Sequence, residues 1–125
     1  MLYKILVVGD IHFGYYPAEL LYKEFKLVID NITKDIDAVF IAGDYFDTKL
    51  TLSSKHSLYA IKTFCDILDK CEQTNTKLRM IRGTASHDPE NQLINLTNSK
   101  IFKYLQSVTI FGGEPLLHPN IIDIL

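Results

Sequence analysis

The stretch "YKILVVGDIHFG", Tyr3 to Gly14, joins a strand pattern directly to side chains that can do chemistry. Its first half is a near-continuous apolar run, which is typical of a strand covered on both faces. Gly9 then permits a sharp turn, and Asp10 and His12 follow it in alternation. The stretch predicts a buried strand that ends at a polar site, where open α/β sheets bind their ligands.

The remaining chain alternates helical and strand-like segments. Apolar residues recur with helical spacing in two long segments, and a shorter helix-like piece, "NSKIFKYLQ", comes later. The long helices are predicted over Ala18 to Thr33 and Leu52 to Cys71, and further strands over Asp37 to Ala42, Lys77 to Ile81, Val108 to Gly113 and the terminal "NIIDIL". This order predicts an α/β fold with a mainly parallel sheet flanked by helices.

Composition limits the class of protein. The chain has 125 residues, of which 47% are hydrophobic and 22% charged, as expected of one globular domain. The formal charge of -2 lacks the basic excess that usually accompanies nucleic-acid binding, although metal-binding carboxylates would also lower the charge. Cys65 and Cys71 have no CxxC spacing, and there is neither a membrane span nor a cleavable signal. We therefore expect a cytoplasmic protein with reduced, packing cysteines.

Three strands each lead into a glycine followed by acids or imidazoles. The second strand leads into Gly43, Asp44 and Asp47, and the third into Gly83 and the pair His87-Asp88. Because the carboxyl ends of parallel strands share one edge of the sheet, we expect Asp10, His12 and Asp44 to converge on one point.

Carboxylate and imidazole ligands together suit Mn, Fe or Zn more than Ca or a dedicated Mg site. Two such ions would clamp a phosphate and activate water for in-line attack. His87 would then act as the general acid for the leaving oxygen, and Asp47 could hold its tautomer. The pattern therefore predicts a two-metal phosphoesterase site that holds Mn, Fe or Zn, with Mg a further alternative.

The motifs "GDIHFG" and "AGDYFDT", followed by a Gly-turn-His-Asp stretch, resemble the first three motifs of calcineurin-like metallophosphoesterases. They are most similar to those of SbcD-type exonucleases of DNA double-strand-break repair. The resemblance implies an αββα sandwich, a dinuclear Mn-preferring site, DNA as substrate and an SbcC-like coiled-coil ATPase as partner. It also implies that Asp10 and His12 bind the first ion, that Asp44 bridges both ions, and that Asp47 serves the transition-state-stabilising His87.

Two departures from the family pattern weaken the implied site. Ser86 stands where the third motif has an asparagine ligand to the second ion, in a loop two residues longer. The later histidine and GHxH motifs have no counterpart, because the remaining His56 and His118 read as packing or loop residues. We therefore expect residues 1–125 to be a truncated, N-terminal portion of a nuclease domain, with weak metal binding and little activity.

Other interpretations remain open from the sequence. The chain could be a phosphoesterase of the same superfamily acting on nucleotides or phosphoproteins, or a non-catalytic interaction domain with a degenerate metal site. The second long helix has two adjacent apolar rows, which are wider than the stripe of a one-sided helix. Either its own sheet and a neighbouring helix bury both rows, or the helix forms a homodimer seam through Leu58, Ile61 and Phe64.

Overall fold

The computed structural model describes residues 2–97, 108–111 and 122–124. Strands and helices alternate, which confirms the predicted α/β class. The elements are β1 (Ile5–Val8), α1 (Ala18–Asp30), β2 (Ala38–Ala42), α2 (Lys55–Thr74), β3 (Lys77–Ile81), α3 (Glu90–Thr97), β4 (Val108–Phe111) and β5 (Ile122–Ile124).

One sheet holds these strands in the order β1-β2-β3-β4-β5. The first four are parallel, and β5 pairs antiparallel with β4 at the edge, so the predicted mainly parallel sheet is confirmed. Val8 lies opposite Ile41, and Ile41 lies opposite Met80. The carboxyl ends of the first three strands are therefore level, and the loops that follow them leave from one edge.

The core lies between this sheet and the layer formed by α1 and α2, which pack against each other. Alternate strand residues such as Val39, Ile41 and Met80 are buried in it. On the opposite face Ile5 is 51% exposed and Val7 60% exposed, so the expectation that β1 is covered on both faces is wrong within the described structure. Right-handed crossovers between successive neighbouring strands place their helices on the same side, which explains the uneven coverage.

Helix α2 begins after Ser54, whose Oγ accepts a hydrogen bond from the Ser57 N–H. Most of its apolar residues pack into the core, as expected of a helix buried by its own sheet and a neighbouring helix. Phe64 is fully buried, so the expectation that it contributes to a dimer seam is corrected. Leu58 is 59% exposed and Ile61 is partly buried, so both still reach the surface.

The helix predictions differ from the structure in three places. Helix α1 ends at Asp30, three residues early, and α2 begins and ends three residues later than predicted. Helix α3 has no counterpart among the predicted elements. Pro89 followed by Glu90 is a helix-start signal that could have revealed α3, since proline fits the first turn and acids favour the positive helix end. The predicted helix "NSKIFKYLQ" and His118 lie outside the described residues.

The cysteine prediction agrees with the structure. Neither Cys65 nor Cys71 forms a disulfide within the described residues, and burial raises the pKa of the Cys71 thiol to about 12. A thiol that resists ionisation is a poor nucleophile, so Cys71 serves packing. None of the described helices is both long and apolar enough to cross a membrane.

Candidate metal centre

The predicted convergence of the first two strand ends is confirmed. Asp10, His12 and Asp44 each present a ligand atom, and these atoms lie within 4.8 Å of one another. The Nε2 atom of His12 is 3.9 Å from Oδ1 of Asp10 and 4.0 Å from Oδ2 of Asp44. Atoms this close can share one metal ion after small side-chain adjustments, because metal–ligand bonds are about 2.0–2.3 Å long.

The same three residues have an unusual backbone conformation. Their φ angles are +52° for Asp10, +56° for His12 and +49° for Asp44, in the left-handed region that few non-glycine residues occupy. Hydrogen bonds between the two loops hold them there: the His12 N–H donates to the Asp44 carbonyl at 3.0 Å, and the Asp10 N–H to the Gly43 carbonyl at 3.3 Å. Such conformations cluster at functional sites, where they aim side chains that ordinary strands could not.

A second group shares His12 with the first. Ligand atoms of His12, Asp47 and His87 also lie within 4.8 Å of one another. Asp47 Oδ1 is 3.1 Å from Nδ1 of His12, while Nδ1 of His87 is 3.2 Å from Oδ2 of Asp44. Asp47 therefore lies closest to His12, and its expected role as the partner of His87 stays a prediction.

The charge balance of this region fits a bound cation. Within the described part of the chain, Asp10 and Asp44 have only imidazoles as ion-pair partners, and so does Asp47. The Nδ1 atoms of His12 and His87 are buried and form no aligned hydrogen bond, despite their carboxylate neighbours. A divalent ion would supply the missing positive charge and an electron-pair acceptor for an imidazole nitrogen. These donors match the predicted Mn, Fe or Zn ligands.

Asp88 is a residue for which the sequence suggested no separate role. It is fully buried, and its two carboxylate oxygens accept hydrogen bonds from the N–H groups of Phe46 (2.9 Å) and Gly83 (2.8 Å). Burial raises the pKa of this carboxyl. Asp88 thus ties the loop after β2 to the loop after β3, and so fixes Asp44 relative to His87.

The contact between these two loops also depends on Gly83. A Cβ atom there would lie 2.0 Å from Oδ1 of Asp44, so only glycine allows this approach. The next residue, Thr84, donates its N–H to the same Oδ1 at 3.0 Å. The loop after β3 therefore holds one oxygen of Asp44, while the other faces the two imidazoles.

The remaining candidates lie at the margin of the site. Ser86 is exposed, and its hydroxyl is 3.4 Å from that of Thr84, so its expected metal contact stays a prediction. His56 lies in the first turn of α2 and belongs to neither group of candidate ligands.

The family model for calcineurin-like phosphoesterases matches residues 3–123. The chain belongs to the calcineurin-like phosphoesterase family. This calcineurin-like phosphoesterase has groups of histidine and aspartate that could hold the divalent metals of its family. No curated protein sequence matches the chain at a significant level. Membership supports metal-dependent phosphoester hydrolysis in general.

Proposed function

We propose that this calcineurin-like phosphoesterase is an SbcD-like nuclease that hydrolyses phosphodiester bonds in DNA with two divalent ions, Mn²⁺ preferred. The observation that carries the proposal is the pair of ligand groups that share His12. Together the two groups contain three carboxylates, and none of these pairs with a lysine or arginine among the described residues. The choice of DNA follows from the resemblance of "GDIHFG" and "AGDYFDT" to the SbcD-type motifs.

In this proposal Asp10 and His12 hold the first ion, and Asp44 borders both. When bound, the ions supply positive charge to the phosphate and lower the pKa of a bound water. The Asp44 side chain is 18% exposed and is anchored by the Thr84 N–H, so it is pre-oriented for this task. Pre-orientation matters because a ligand that must reorganise loses affinity.

His87 is the proposed general acid. Its side chain is 36% exposed, which leaves the imidazole accessible to a substrate at the rim. The nearby Asp44 carboxylate and the edge-to-face ring of His12, with centroids 4.9 Å apart, restrict its orientation. From there it would give a proton to the leaving oxygen, a contribution of about 10²–10⁴ in rate.

We expect metal binding and turnover to be weak. In this assignment the first ion has three protein ligands, Asp10, His12 and Asp44, and the second ion has only Asp44 and the exposed Ser86. Every missing protein ligand must be replaced by water, which lowers affinity because the pre-organised donors are fewer.

The test is Mn²⁺-dependent cleavage of linear DNA by the whole chain, with mononucleotides and a phosphopeptide as competing substrates. We expect slow cleavage of DNA that is lost in Asp10→Asn, and a thermal shift with Mn²⁺ in the unmodified chain only. Preference for mononucleotides or the phosphopeptide would replace DNA as the substrate. The absence of both hydrolysis and the Mn²⁺ shift would favour a non-catalytic interaction domain.

The partners are also proposals. Pairing with an SbcC-like coiled-coil ATPase rests on the motif resemblance. Self-association would use the exposed Leu58 together with Ile61. Sedimentation should show a dimer that Leu58→Ser disrupts, while Leu27→Ser, which changes a 62% exposed leucine on α1, leaves it intact. A monomer at high micromolar concentration would contradict this.

A further inference from the structure

Two tyrosines with exposed rings lie on the loop that carries the candidate ligands Asp10 and His12. Tyr15 is 68% exposed and Tyr16 49% exposed, and their rings meet edge to face with centroids 4.8 Å apart. The core takes no part in this contact, because neither ring is buried. The mutual contact restricts both rings, so together they present aromatic surface with little freedom left to lose on binding.

The backbone holds this pair close to the candidate ligands. The Tyr15 N–H donates to the His12 carbonyl at 3.0 Å, which closes a turn. The first and fourth Cα atoms of such a turn lie within about 7 Å of each other. The tyrosine pair therefore begins one tight turn away from a candidate ligand.

The loop that carries the rings is itself anchored. Phe13 is fully buried and exchanges backbone hydrogen bonds with the loop after β2, accepting from Asp47 at 2.9 Å and donating to Tyr45 at 3.0 Å. The backbone of Phe13 also forms isolated β-bridges with Tyr16 and with Phe46. The exposed rings thus sit on a segment fixed to the same loops that carry the site.

We propose that Tyr15 and Tyr16 form a stacking platform for an unpaired nucleobase next to the phosphate being cleaved. The inference rests on the proposed phosphodiesterase function and narrows its substrate to nucleic acid with unpaired bases. Every base has a flat π face, so aromatic side chains bind single strands with little regard to sequence. In a duplex these faces are hidden by stacking, and a single strand or a frayed end exposes them.

The position of the rings favours a nucleic acid over a phosphoprotein. In an unpaired polynucleotide a base lies beside every phosphate, so rings on the loop that carries His12 would find a base close to the scissile phosphate. A phosphopeptide carries unrelated side chains beside its phosphate, and a fixed aromatic pair would suit few of them. The same exposed rings could serve a protein partner, and the experiment separates that outcome.

The test measures binding of labelled oligothymidylate and of its abasic counterpart by fluorescence anisotropy, with EDTA present so that metal plays no part. We expect the unmodified chain to bind oligothymidylate roughly tenfold more tightly than the abasic strand. The double variant Tyr15→Ala/Tyr16→Ala should bind both strands equally and weakly. Tyr15→Phe/Tyr16→Phe should retain the preference, because the rings remain.

Tyr3→Ala is the matched control, since Tyr3 is 70% exposed at the opposite end of β1. It should leave the preference for bases unchanged. Equal binding of both strands by the unmodified chain would overturn the inference, and so would loss of the preference in the phenylalanine variant. A double alanine variant that keeps the base preference but loses self-association in sedimentation would assign the rings to a protein contact instead.

Failure of this inference can be told from failure of the proposed function. Base-dependent binding without any metal-dependent cleavage would keep the platform and reject the nuclease. Cleavage of single-stranded DNA with an unchanged KM in the double alanine variant would keep the nuclease and reject the platform.

Discussion

The carboxylates at the amino and carboxyl ends of the strands differ in their ion-pair partners. At the amino edge Lys4 pairs with Asp35 at 2.7 Å through its ammonium, and its backbone N–H donates to Asp37 at 2.7 Å. At the carboxyl edge the carboxylates of the candidate metal centre crowd around two imidazoles, with no lysine or arginine partner in the described structure. At the amino edge Asp35 has a lysine partner and Asp37 a backbone donor, whereas the carboxylates of the carboxyl edge have only imidazole partners among the described residues.

This difference separates stability from function. Carboxylates already paired with cations need nothing further, and water screens such exposed pairs. Carboxylates brought together without a cation repel one another, and a fold tolerates this where a ligand will supply the charge. The carboxyl edge is therefore the edge whose properties should change when metal is added.

The largest expected effect comes from Asp44→Asn. The amide keeps an oxygen for the Thr84 N–H but removes the negative charge, so metal binding should fail and any hydrolysis should fall at least about 100-fold. Without the substitution, Mn²⁺ at tenfold its Kd should stabilise the fold by about 1.4 kcal/mol, a Tm rise of several degrees. Differential scanning fluorimetry measures the Mn²⁺-dependent Tm shift of the variant and of the unmodified chain, and the DNA cleavage assay measures hydrolysis. Asp37→Asn at the amino edge should retain the full Mn²⁺ response. Loss of the response in this variant as well would show that Mn²⁺ does not act at the carboxyl edge alone.

The second effect concerns the buried Asp88. Asp88→Ala leaves the N–H groups of Phe46 and Gly83 without an acceptor, each at a cost of about 1–3 kcal/mol, partly offset because a buried carboxyl is removed. We expect a net loss of about 2–4 kcal/mol in the free energy of unfolding, measured by urea denaturation. Asp37→Ala should cost much less, since water can replace an exposed carboxylate. Equal losses of stability in the two alanine variants would show that Asp88 does not hold the loops after β2 and β3 together.

A third prediction compares two glycines that follow the strands on either side of β2, Gly9 after β1 and Gly83 after β3. Gly83→Ala would place a Cβ 2.3 Å from the Asp44 backbone nitrogen, so the loop must move, at a cost of about 1–3 kcal/mol and with a reduced Mn²⁺ response. Gly9→Ala meets nothing closer than the Ala42 carbonyl oxygen at 3.4 Å and should be tolerated. Chemical denaturation and the Mn²⁺ thermal shift test both variants. An unchanged Mn²⁺ response in Gly83→Ala would contradict the close approach to Asp44.

The smallest expected effect lies at the amino edge. Hydrogen bonding and charge from Lys4, with a further hydrogen bond from Thr33, lower the pKa of Asp35 to about 2. Since the unfolded value is about 3.9, the pair stabilises the fold above that pH, and the contribution disappears as pH falls toward 2. The small Tm difference between the unmodified chain and Asp35→Asn should therefore shrink in acid, and also in high salt. A Tm difference that grows on acidification would contradict the lowered pKa of Asp35.

The sequence by itself determined which residues meet at the site. Apolar runs ending in glycine mark strand ends, and parallel strands deliver their carboxyl ends to one edge, so Asp10, His12 and Asp44 were expected together and are together. The α/β class, the parallel sheet and the bounds of β3 followed from the same local patterns. These features depend on periodicity and turn chemistry, which neighbouring residues along the chain encode.

Only the tertiary structure decided how those residues are held and which surfaces stay open. The positive φ angles at Asp10, His12 and Asp44 arise because hydrogen bonds join loops more than thirty residues apart in sequence. The burial of Phe64 and the exposure of Val7 depend on which side of the sheet the helices cover, and the burial of Asp88 depends on the contact between the loops after β2 and β3. Periodicity shows that a face is apolar, but a neighbour from a distant part of the chain decides whether that face is buried.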